Sequence, residues 1–388
     1  MPVPVPGLFG CHDLEGLTSL LRVIGLLSLF WNTIRLPEAF SGKTPGRRLV
    51  RRSRKRDQSD FFFGSSGECW RMITHILKGN LPLCKRMALR GWLSGKGSRA
   101  DKDLNQEGKI VIHVSHLGEL KEVLSSKSLH PLALVPTMGA LHSGHLELVR
   151  HARSRHFNVA VSIFVNPMQF GPGEDLDRYP RPLSDDLNLC REEGVSLVFT
   201  PQVTEMIPSG SAIRVTHPVG RLYCGASRPG HFDGVLTIVS KLFHLFSPDM
   251  AVFGQKDRQQ LFLIEQMVSE LDFPLKVESV ATVREADGLA KSSRNRYLSE
   301  SERLIAPFLY GRLLKAKKEG VPKNPDDQQG WLEDISKNLT TLGFRPDYVS
   351  LVDRKTFLPP THSTSGLILL AAAWLGKTRL IDNLEMDE

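Results

Sequence analysis

The amino-acid sequence predicts an α/β protein with a Rossmann-like, doubly wound parallel sheet. Three short apolar runs, at residues 132–135, 158–165 and 250–254, carry this prediction, because each is followed by a glycine-containing or polar segment that leads towards a helical pattern. Buried strands that alternate with helices are typical of a parallel sheet covered on both faces. The apolar fraction of 41% and the charged fraction of 24% are those of a globular chain.

The first 108 residues differ in charge from the rest of the chain. They hold 18 basic and 9 acidic residues, whereas residues 109–388 hold 32 basic and 33 acidic residues. The net charge of +8 therefore belongs to the front segment, and the part that follows is close to neutral. A nucleic-acid binder should be basic across its folded domain, so the basic cluster at 47–56 does not by itself predict that function.

The sequence of the front segment predicts neither a membrane span nor a secretory signal. Its apolar run at 17–31 is interrupted by Arg22 and is too short to cross a bilayer, and the basic cluster follows this run instead of preceding it. No acidic residue occurs from 72 to 99, which is typical of a mitochondrial transit peptide. A disordered tail, or an extension upstream of a start at Met72 or Met87, explains the composition equally. We predict a poorly ordered or targeting extension over residues 1–108.

The cysteines indicate a reducing compartment. They are scattered, without a CxxC pair or a histidine at metal-ligand spacing, which argues against a disulfide framework and a structural zinc. The five are Cys11, Cys69, Cys84, Cys190 and Cys224. We predict a cytoplasmic protein, with a mitochondrial location as the alternative if the front segment is a transit peptide.

The segment that follows the strand at 132–135 is central to the predicted site. Residues 110–114 predict a strand and 117–127 a helix; after the strand at 132–135, Pro136 and Gly139 break the pattern and a helix begins at Ser143. Such a turn aims the free N–H groups of the helix at whatever lies above the sheet, which favours phosphate. His142 and His145 are three residues apart and share one face of the first helical turn.

The next strand, 158–165, runs into a polar loop at 166–171. This is the carboxyl edge of the sheet, where ligands bind in open α/β folds. Gln169 offers both a donor and an acceptor, which suits a substrate with hydroxyl and carboxylate groups. A helix at 183–193 and a strand at 195–199 follow. The segment at 228–232 then precedes a helix at 234–246, and its arginine either steers an anion or belongs to a simple helix cap.

Two further segments repeat the pattern of a strand followed by polar residues. The strand at 250–254 leads to a helix start with Lys256, and lysine is a compact cation that can follow a phosphate. The strand at 277–283 leads to a loop in which Ser292 and Ser293 stand between Lys291 and Arg294. Hydroxyls between cations predict a phosphate-binding loop.

The pattern changes after residue 299. Helices at 300–318 and 326–341 precede alternating strands at 348–352, 366–375 and 378–384, which predict a smaller α+β domain hinged near 285–299. The predicted domains are therefore the extension at 1–108, a nucleotide-binding catalytic domain at 109–285 and a C-terminal domain at 286–388.

Several of these segments resemble one known family. The four residues at 142–145 resemble the HxGH signature of the nucleotidyltransferase superfamily. The longer string PTMGALHSGH at 136–145, with NPMQFG at 166–171 and RPGHFDGV at 228–235, resembles the pantothenate synthetases (pantoate–β-alanine ligases). The resemblance runs from about Ile110 to the C-terminus. It implies ATP-dependent condensation of (R)-pantoate with β-alanine through a pantoyl adenylate, release of AMP and pyrophosphate, a need for Mg²⁺, a homodimer, and a C-terminal lid and dimerisation domain.

The resemblance also assigns roles to residues. It gives catalysis to His142, His145, Lys256, Ser292 and Arg294. It gives contacts with ATP to Met138, Gly139, Ala140, Leu141, His142, Ser143, Gly144, His145, Gly254, Gln255, Lys256, Asp257, Val283, Lys291, Ser292, Ser293 and Arg294. It gives contacts with pantoate or β-alanine to Pro136, Met138, Gln169 and Gln260. No protein metal ligand is implied, since ATP phosphates and water hold Mg²⁺.

One predicted site residue departs from the family. Lys291 stands where many relatives have methionine, and an additional cation there either tightens nucleotide binding or points to solvent. Three other functions stay open: another HxGH enzyme such as a cytidylyltransferase or a nicotinamide or pantetheine adenylyltransferase, a nucleic-acid binder, and an inactive relative. The long matching strings disfavour the first, near neutrality disfavours the second, and the presence of every expected polar residue disfavours the third.

Overall fold

The computed structural model describes residues 102–104, 110–126, 128–361, 364 and 366–386 of the chain. The prediction made for the front extension therefore lies, apart from residues 102–104, outside the described residues. The strands are β1 (Lys102–Leu104), β2 (Ile110–Val114), β3 (Leu132–Thr137), β4 (Asn158–Ile163), β5 (Leu197–Phe199), β6 (Met250–Gly254), β7 (Lys276–Val280), β8 (Arg345–Asp353), β9 (Leu367–Leu375) and β10 (Thr378–Glu385).

The helices alternate with these strands in the first domain and precede them in the second. They are α1 (Leu117–Ser125), α2 (Ser143–Ser154), α3 (Leu183–Glu192), α4 (Val203–Met206), α5 (Cys224–Ser227), α6 (His231–Phe246), α7 (Arg258–Glu270), α8 (Glu300–Ile305), α9 (Phe308–Glu319) and α10 (Pro325–Thr341). Short 3₁₀ turns lie at Pro167–Gln169, Pro218–Arg221, Gln255–Asp257 and Ser293–Tyr297. No helix of the described residues is long and apolar enough to cross a membrane.

The large sheet confirms the predicted doubly wound α/β fold. Its strand order is β1-β2-β5-β4-β3-β6-β7, with β2 to β7 parallel and β1 antiparallel at one edge. From β3 the chain first builds β4 and β5 on one side and then returns to place β6 and β7 on the other. The gap above β3 and β6 is therefore the topological switch point, where parallel sheets bind ligands at their carboxyl ends.

Alternation along β3 shows how the sheet forms two cores. Leu132 and Leu134 face the cluster that α6 and α7 complete, whereas Ala133 and Val135 face the cluster completed by α2 and α3. All four side chains are fully buried. Because both faces are covered, the strands are apolar at successive positions, which is the pattern that identified them in the sequence.

The C-terminal part is the smaller α+β domain that the sequence predicts. Its antiparallel sheet has the order β10-β9-β8, and it has a core of its own around Leu313, Leu339 and Leu369. The predicted helix at 300–318 is wrong in one respect, because it is two helices, α8 and α9. The break falls at Ala306 and Pro307, where a proline removes an N–H donor.

Other boundaries also differ from the sequence prediction. Residues 102–104, assigned to the front extension, form β1, because the chain folds back and pairs with β2 through its backbone. β3 continues through Pro136 to Thr137, although proline was expected to end it. The proline is tolerated because β3 pairs with β6 only at Ala133 and Leu134, so only the β4 side is paired at Pro136.

Helix α6 packs so closely that it requires a glycine. A Cβ atom on Gly234 would lie 2.5 Å from the carbonyl carbon and oxygen of Met168. Gly234→Ala should therefore lower the free energy of unfolding by about 1–3 kcal/mol, as overpacking does, measured by denaturant unfolding.

The control for that variant is Gly330→Ala. Gly330 lies exposed in α10 with nothing within 4 Å of the added Cβ, so alanine should stabilise by about 0.5–1 kcal/mol through helix propensity. Equal changes in the two variants would contradict the close packing of α6.

Candidate active site

The turn between β3 and α2 is held in an uncommon backbone conformation. Gly139 and Ala140 both have positive φ, at 78° and 49°. A non-glycine residue such as Ala140 adopts this region at a cost of roughly 1–2 kcal/mol, so contacts must hold it there. Thr137 supplies one, since its hydroxyl accepts from the Gly139 N–H at 3.2 Å and donates to the Ser162 carbonyl at 2.8 Å.

His142 and His145 cap the start of α2 reciprocally. The Nδ1 atom of His142 accepts from the Gly144 N–H at 3.1 Å, and the Nδ1 atom of His145 accepts from the His142 N–H at 3.3 Å. Gly144 is required for space, because a Cβ there would lie 2.9 Å from the His142 ring. In a neutral imidazole that accepts at Nδ1, the proton is on Nε2. Each ring therefore retains one N–H donor at Nε2.

Both imidazoles are uncharged at neutral pH. Burial, together with the positive charges of Lys256 and Lys291, lowers the pKa of His142 to about 4. Burial and the neighbouring His142 ring lower the pKa of His145 to about 3. The ring centroids are 4.1 Å apart, so two imidazolium charges here would repel each other. The pair acts as two neutral donors and the lysines supply the positive charge.

The turn after β6 places Lys256 and Asp257 across the switch point. The chain passes through the 3₁₀ turn Gln255–Asp257 into α7 without a side-chain cap. Instead, the amide of Asn383, on β10, donates to the carbonyls of Gln255 and Lys256 at 2.9 and 3.0 Å. The Lys256 side chain remains 21% exposed. The C-terminal domain therefore helps to hold the turn that carries this cation.

The loop predicted to bind phosphate is also tied to the catalytic domain. The Ser293 hydroxyl donates to the Ala140 carbonyl at 3.2 Å, and the Ser292 hydroxyl accepts from the Arg294 N–H at 3.3 Å. Arg294 donates from Nε and Nη2 to the two oxygens of Asp175, both at 2.9 Å. Lys291 lies 3.0 Å from Glu285 and lines the cavity. It therefore does not simply point to solvent.

Gln169 is positioned by a buried asparagine. The Asn166 amide donates to Gln169 Oε1 and to the Gly234 carbonyl, both at 3.0 Å, and its Oδ1 accepts from the Met168 N–H. The Gln169 amide in turn lies 3.2 Å from the sulfur of Met138. Asn166 was not assigned a role from the sequence; its position directly after an apolar strand was the available signal.

Arg228 and His231 form a second group to which sequence reasoning gave no definite role. Arg228 is paired with Glu174 through two nitrogens, at 2.9 and 2.6 Å, and donates to His231 Nε2 at 3.1 Å. His231 Nδ1 donates to the Gln169 carbonyl at 2.7 Å. Burial and the charge of Arg228 lower the pKa of His231 to about 4. The pattern RPGH signalled this group, but its partner Glu174 is 54 residues away.

One cavity of about 230 Å³ at the switch point brings most of the predicted site together. Of the twenty residues assigned from the sequence, fifteen line it: Pro136, Met138, His142, Gly144, His145, Gln169, Gly254, Lys256, Asp257, Gln260, Val283, Lys291, Ser292, Ser293 and Arg294. The other five do not line it: Gly139, Ala140, Leu141, Ser143 and Gln255. The amide of Gln255 donates instead to Ser279 on β7. A wider cleft of about 920 Å³, which shares seven lining residues with the cavity, extends to the C-terminal domain.

The lining of the cavity combines two kinds of chemistry. Imidazole donors, lysines, Arg294 and hydroxyls suit phosphate oxygens. Gln169 and Gln260, together with apolar side chains such as Phe164 and Val239, suit a small organic molecule with polar groups. Within the described part of the chain, no group of three or more His, Cys, Asp or Glu side chains could hold a metal ion.

Fold and site define a doubly wound α/β protein with one cavity at the switch point. Its lining suits a phosphate-bearing ligand together with a smaller polar molecule. A family model described as pantoate-β-alanine ligase matches residues 109–385. The chain belongs to that family.

Individual relatives agree with this membership. The chain is 48% identical over 259 residues to the pantothenate synthetase of Pseudomonas fluorescens Pf0-1, covering 66% of this chain and 90% of that protein. It is 50% identical over 260 residues to that of Stutzerimonas stutzeri A1501, with the same two coverages. A pantothenate synthetase structure from Thermus thermophilus has a TM-score of 0.65 at 46% identity, covering 71% of this chain and 99% of that one. A structure of the pantoate-β-alanine ligase from Francisella tularensis, complexed with β-γ ATP and β-alanine, has a TM-score of 0.62 at 30% identity, covering 72% of this chain and 98% of that one.

The lowered pKa values of the two histidines predict how stability depends on pH. Both folded-state values lie below the ordinary 6.5, so as pH falls the unfolded chain takes up these protons first. The free energy of unfolding should therefore decrease from pH 6.5 towards pH 4. Replacing His142 and His145 with Gln should make that decrease shallower, measured by urea unfolding at each pH.

The control is His156→Gln, which removes an exposed histidine just after α2. If it changes the slope as much as the double variant does, the loss of stability does not come from the buried pair.

Proposed function

We propose that this chain condenses (R)-pantoate with β-alanine, at the expense of ATP, to give pantothenate, AMP and pyrophosphate. The observation that carries the proposal is the cavity itself. Side chains suited to bind phosphate and the two glutamines line one space, in a member of the pantoate–β-alanine ligase family. Carboxylate is a poor electrophile, so the acid must be activated before an amide can form.

In the first step a pantoate carboxylate oxygen attacks the α-phosphorus of ATP. A carboxylate–phosphorus bond forms, the bond to the β-phosphate oxygen breaks, and pyrophosphate leaves. The Nε2–H groups of His142 and His145 donate to the α-phosphate oxygens as charge develops there, while Lys256 and Arg294 hold the outer phosphates. Ser292 adds a hydroxyl. No covalent bond to the protein is needed, so catalysis rests on placement and on stabilising charge.

In the second step the β-alanine amine attacks the carbonyl carbon of pantoyl adenylate. The carbon–nitrogen bond forms, the bond from carbon to the phosphate oxygen breaks, AMP leaves, and the nitrogen gives up its proton. Gln169 and Gln260 bind the hydroxyl groups and carboxylate-derived oxygen of the pantoyl unit, and Pro136 and Met138 contact its carbon skeleton. Asp257 and Gly254 bind the ribose of the nucleotide.

The rival function is transfer of the nucleotide to a phosphate group, as other HxGH enzymes do. Such an acceptor would need a further cation near Gln169 and Gln260 whose charge is not already neutralised by a carboxylate. Arg228 also lines the cavity, but Glu174 pairs with it through two short contacts. The side chains around Gln169 and Gln260 therefore favour a hydroxyl-bearing carboxylate such as pantoate over a second phosphate.

Magnesium enters this proposal as part of the MgATP substrate. Phosphates and waters supply most Mg²⁺ ligands in such complexes, and the ion neutralises charge on the phosphate chain when bound. Lys291 adds a further cation to the lining of the cavity, 3.0 Å from Glu285.

The decisive experiment measures AMP and pyrophosphate release with MgATP while pantoate and β-alanine are omitted in turn. Pyrophosphate should need pantoate, and AMP with pantothenate should need both substrates. His145→Ala should lower kcat by at least about 100-fold, because one donor to the developing charge is lost. His156→Ala is the matched control. Release that ignores pantoate, in protein that binds ATP, would overturn the substrate assignment.

We propose two further properties. The resemblance implies a homodimer, with the C-terminal domain as lid and dimerisation domain, and the scattered cysteines favour a cytoplasmic location. Sedimentation should give the mass of two 43.4 kDa chains, and a single-chain mass would contradict the dimer. Cell fractionation decides the location, since recovery of the chain in mitochondria would favour the transit-peptide alternative.

A further inference from the structure

The turn that precedes His142 contains a small anion-binding concavity. Because Gly139 and Ala140 are both left-handed, the successive N–H groups of Ala140 and Leu141 point to the same side of the chain. Successive amides in such a conformation bind anions. In this protein the concavity is filled from within the chain and not by a ligand.

The anion is the carboxylate of Asp186, in the first turn of α3. Its Oδ2 accepts from the Ala140 N–H at 2.8 Å and its Oδ1 accepts from the Leu141 N–H at 2.7 Å. Asp186 is only 1% exposed. A Cβ on Gly139 would lie 2.9 Å from Asp186 Oδ2, so the glycine leaves room for the carboxylate.

The loop that contains Ser292 and Ser293 holds the carbonyl group of Ala140. The Ser293 hydroxyl donates to the Ala140 carbonyl at 3.2 Å. Ala140 therefore has its N–H bound by Asp186 and its carbonyl bound by Ser293. His142 follows two residues later and caps α2, so the direction of its ring depends on how this turn is held.

We propose that Asp186 is a positioning residue for the reaction. Its carboxylate fixes the left-handed turn at 139–141 and thereby directs His142 and His145 into the cavity. Without the carboxylate, two buried N–H groups lose their acceptor and Ala140 loses the contact that offsets its conformational strain. The turn then relaxes and both imidazole donors move away from the reacting phosphate. The inference rests on the proposed function for its activity assay.

The test is Asp186→Asn, which keeps the shape but presents an NH₂ group to one of the two N–H donors. The kcat for pantoate-dependent pyrophosphate release should fall between about tenfold and a hundredfold, as misplacement of catalytic groups does, with KM for pantoate little changed. The control is Glu192→Gln, which neutralises an exposed carboxylate on the same helix. A residue that supports only the fold would lower the Tm and leave kcat per folded molecule unchanged.

A second readout does not require activity. In protein labelled with ¹⁵N at histidine, Asp186→Asn should shift the imidazole signals of His142 and His145, whereas Glu192→Gln should not. Unchanged signals together with a kcat within twofold of wild type would overturn the proposal. Wild-type protein without pantoate-dependent release would instead count against the proposed function, and the imidazole signals would still decide the role of Asp186.

Failure of Asp186→Asn to fold would not end the test. Asp186→Glu keeps the charge but displaces the carboxylate by one methylene. A folded Asp186→Glu protein with lowered kcat supports the proposal, because only the geometry of the carboxylate's contacts has changed. Wild-type kcat in that folded variant overturns it.

Discussion

The reciprocal cap between His142 and His145 is the constraint on which the rest of the site depends. A helix that begins at the carboxyl edge of a parallel sheet has N–H groups without helical partners, and here two imidazoles accept from the backbone at that point. Acceptance at Nδ1 and burial keep each ring neutral with its proton on Nε2. The bonds that start α2 therefore also determine which donor atom each histidine retains.

The positive charges around the cavity are paired with carboxylates to different degrees. Arg294, Arg228 and Lys291 each contact a carboxylate at 3.0 Å or less. A partly buried cation without such a partner would be costly, and an arginine held by two of its donors still has others for a ligand. Lys256 is different, since its ion-pair partner within the described chain is its own neighbour Asp257, at the longer distance of 3.7 Å. Lys256 is thus the least closely paired of these four cations.

Local pattern predicted most elements of the fold but not the contacts that complete the site. Apolar runs identified the strands because a sheet covered on both faces buries successive residues. Polar residues after β3, β4 and β6 indicated a site at the carboxyl edge of the sheet, but the strand order that makes this a switch point was not predicted. Because of Pro136 the predicted end of β3 was too early. Whether a proline is tolerated in a strand depends on which neighbouring strand pairs with it. Asp186 and Asp175 could not be selected among 42 acidic residues, because their partners lie 45 and 119 residues away and no periodicity links them.

The C-terminal domain supports the turn that carries Lys256 through the strand β10. β10 supplies Asn383 to the two carbonyls of the Lys256 turn, and Glu385 to Arg258 at the start of α7. The next contact back along this strand is Asp382, which holds Arg284 through two oxygens at 2.7 and 2.9 Å. Because the Lys256 turn has no side-chain cap of its own, its position depends on where β10 lies. A shift of β10 away from the sheet would therefore remove the support of the Lys256 turn and of Arg284 together, so the placement of Lys256 depends on the docking of the C-terminal domain.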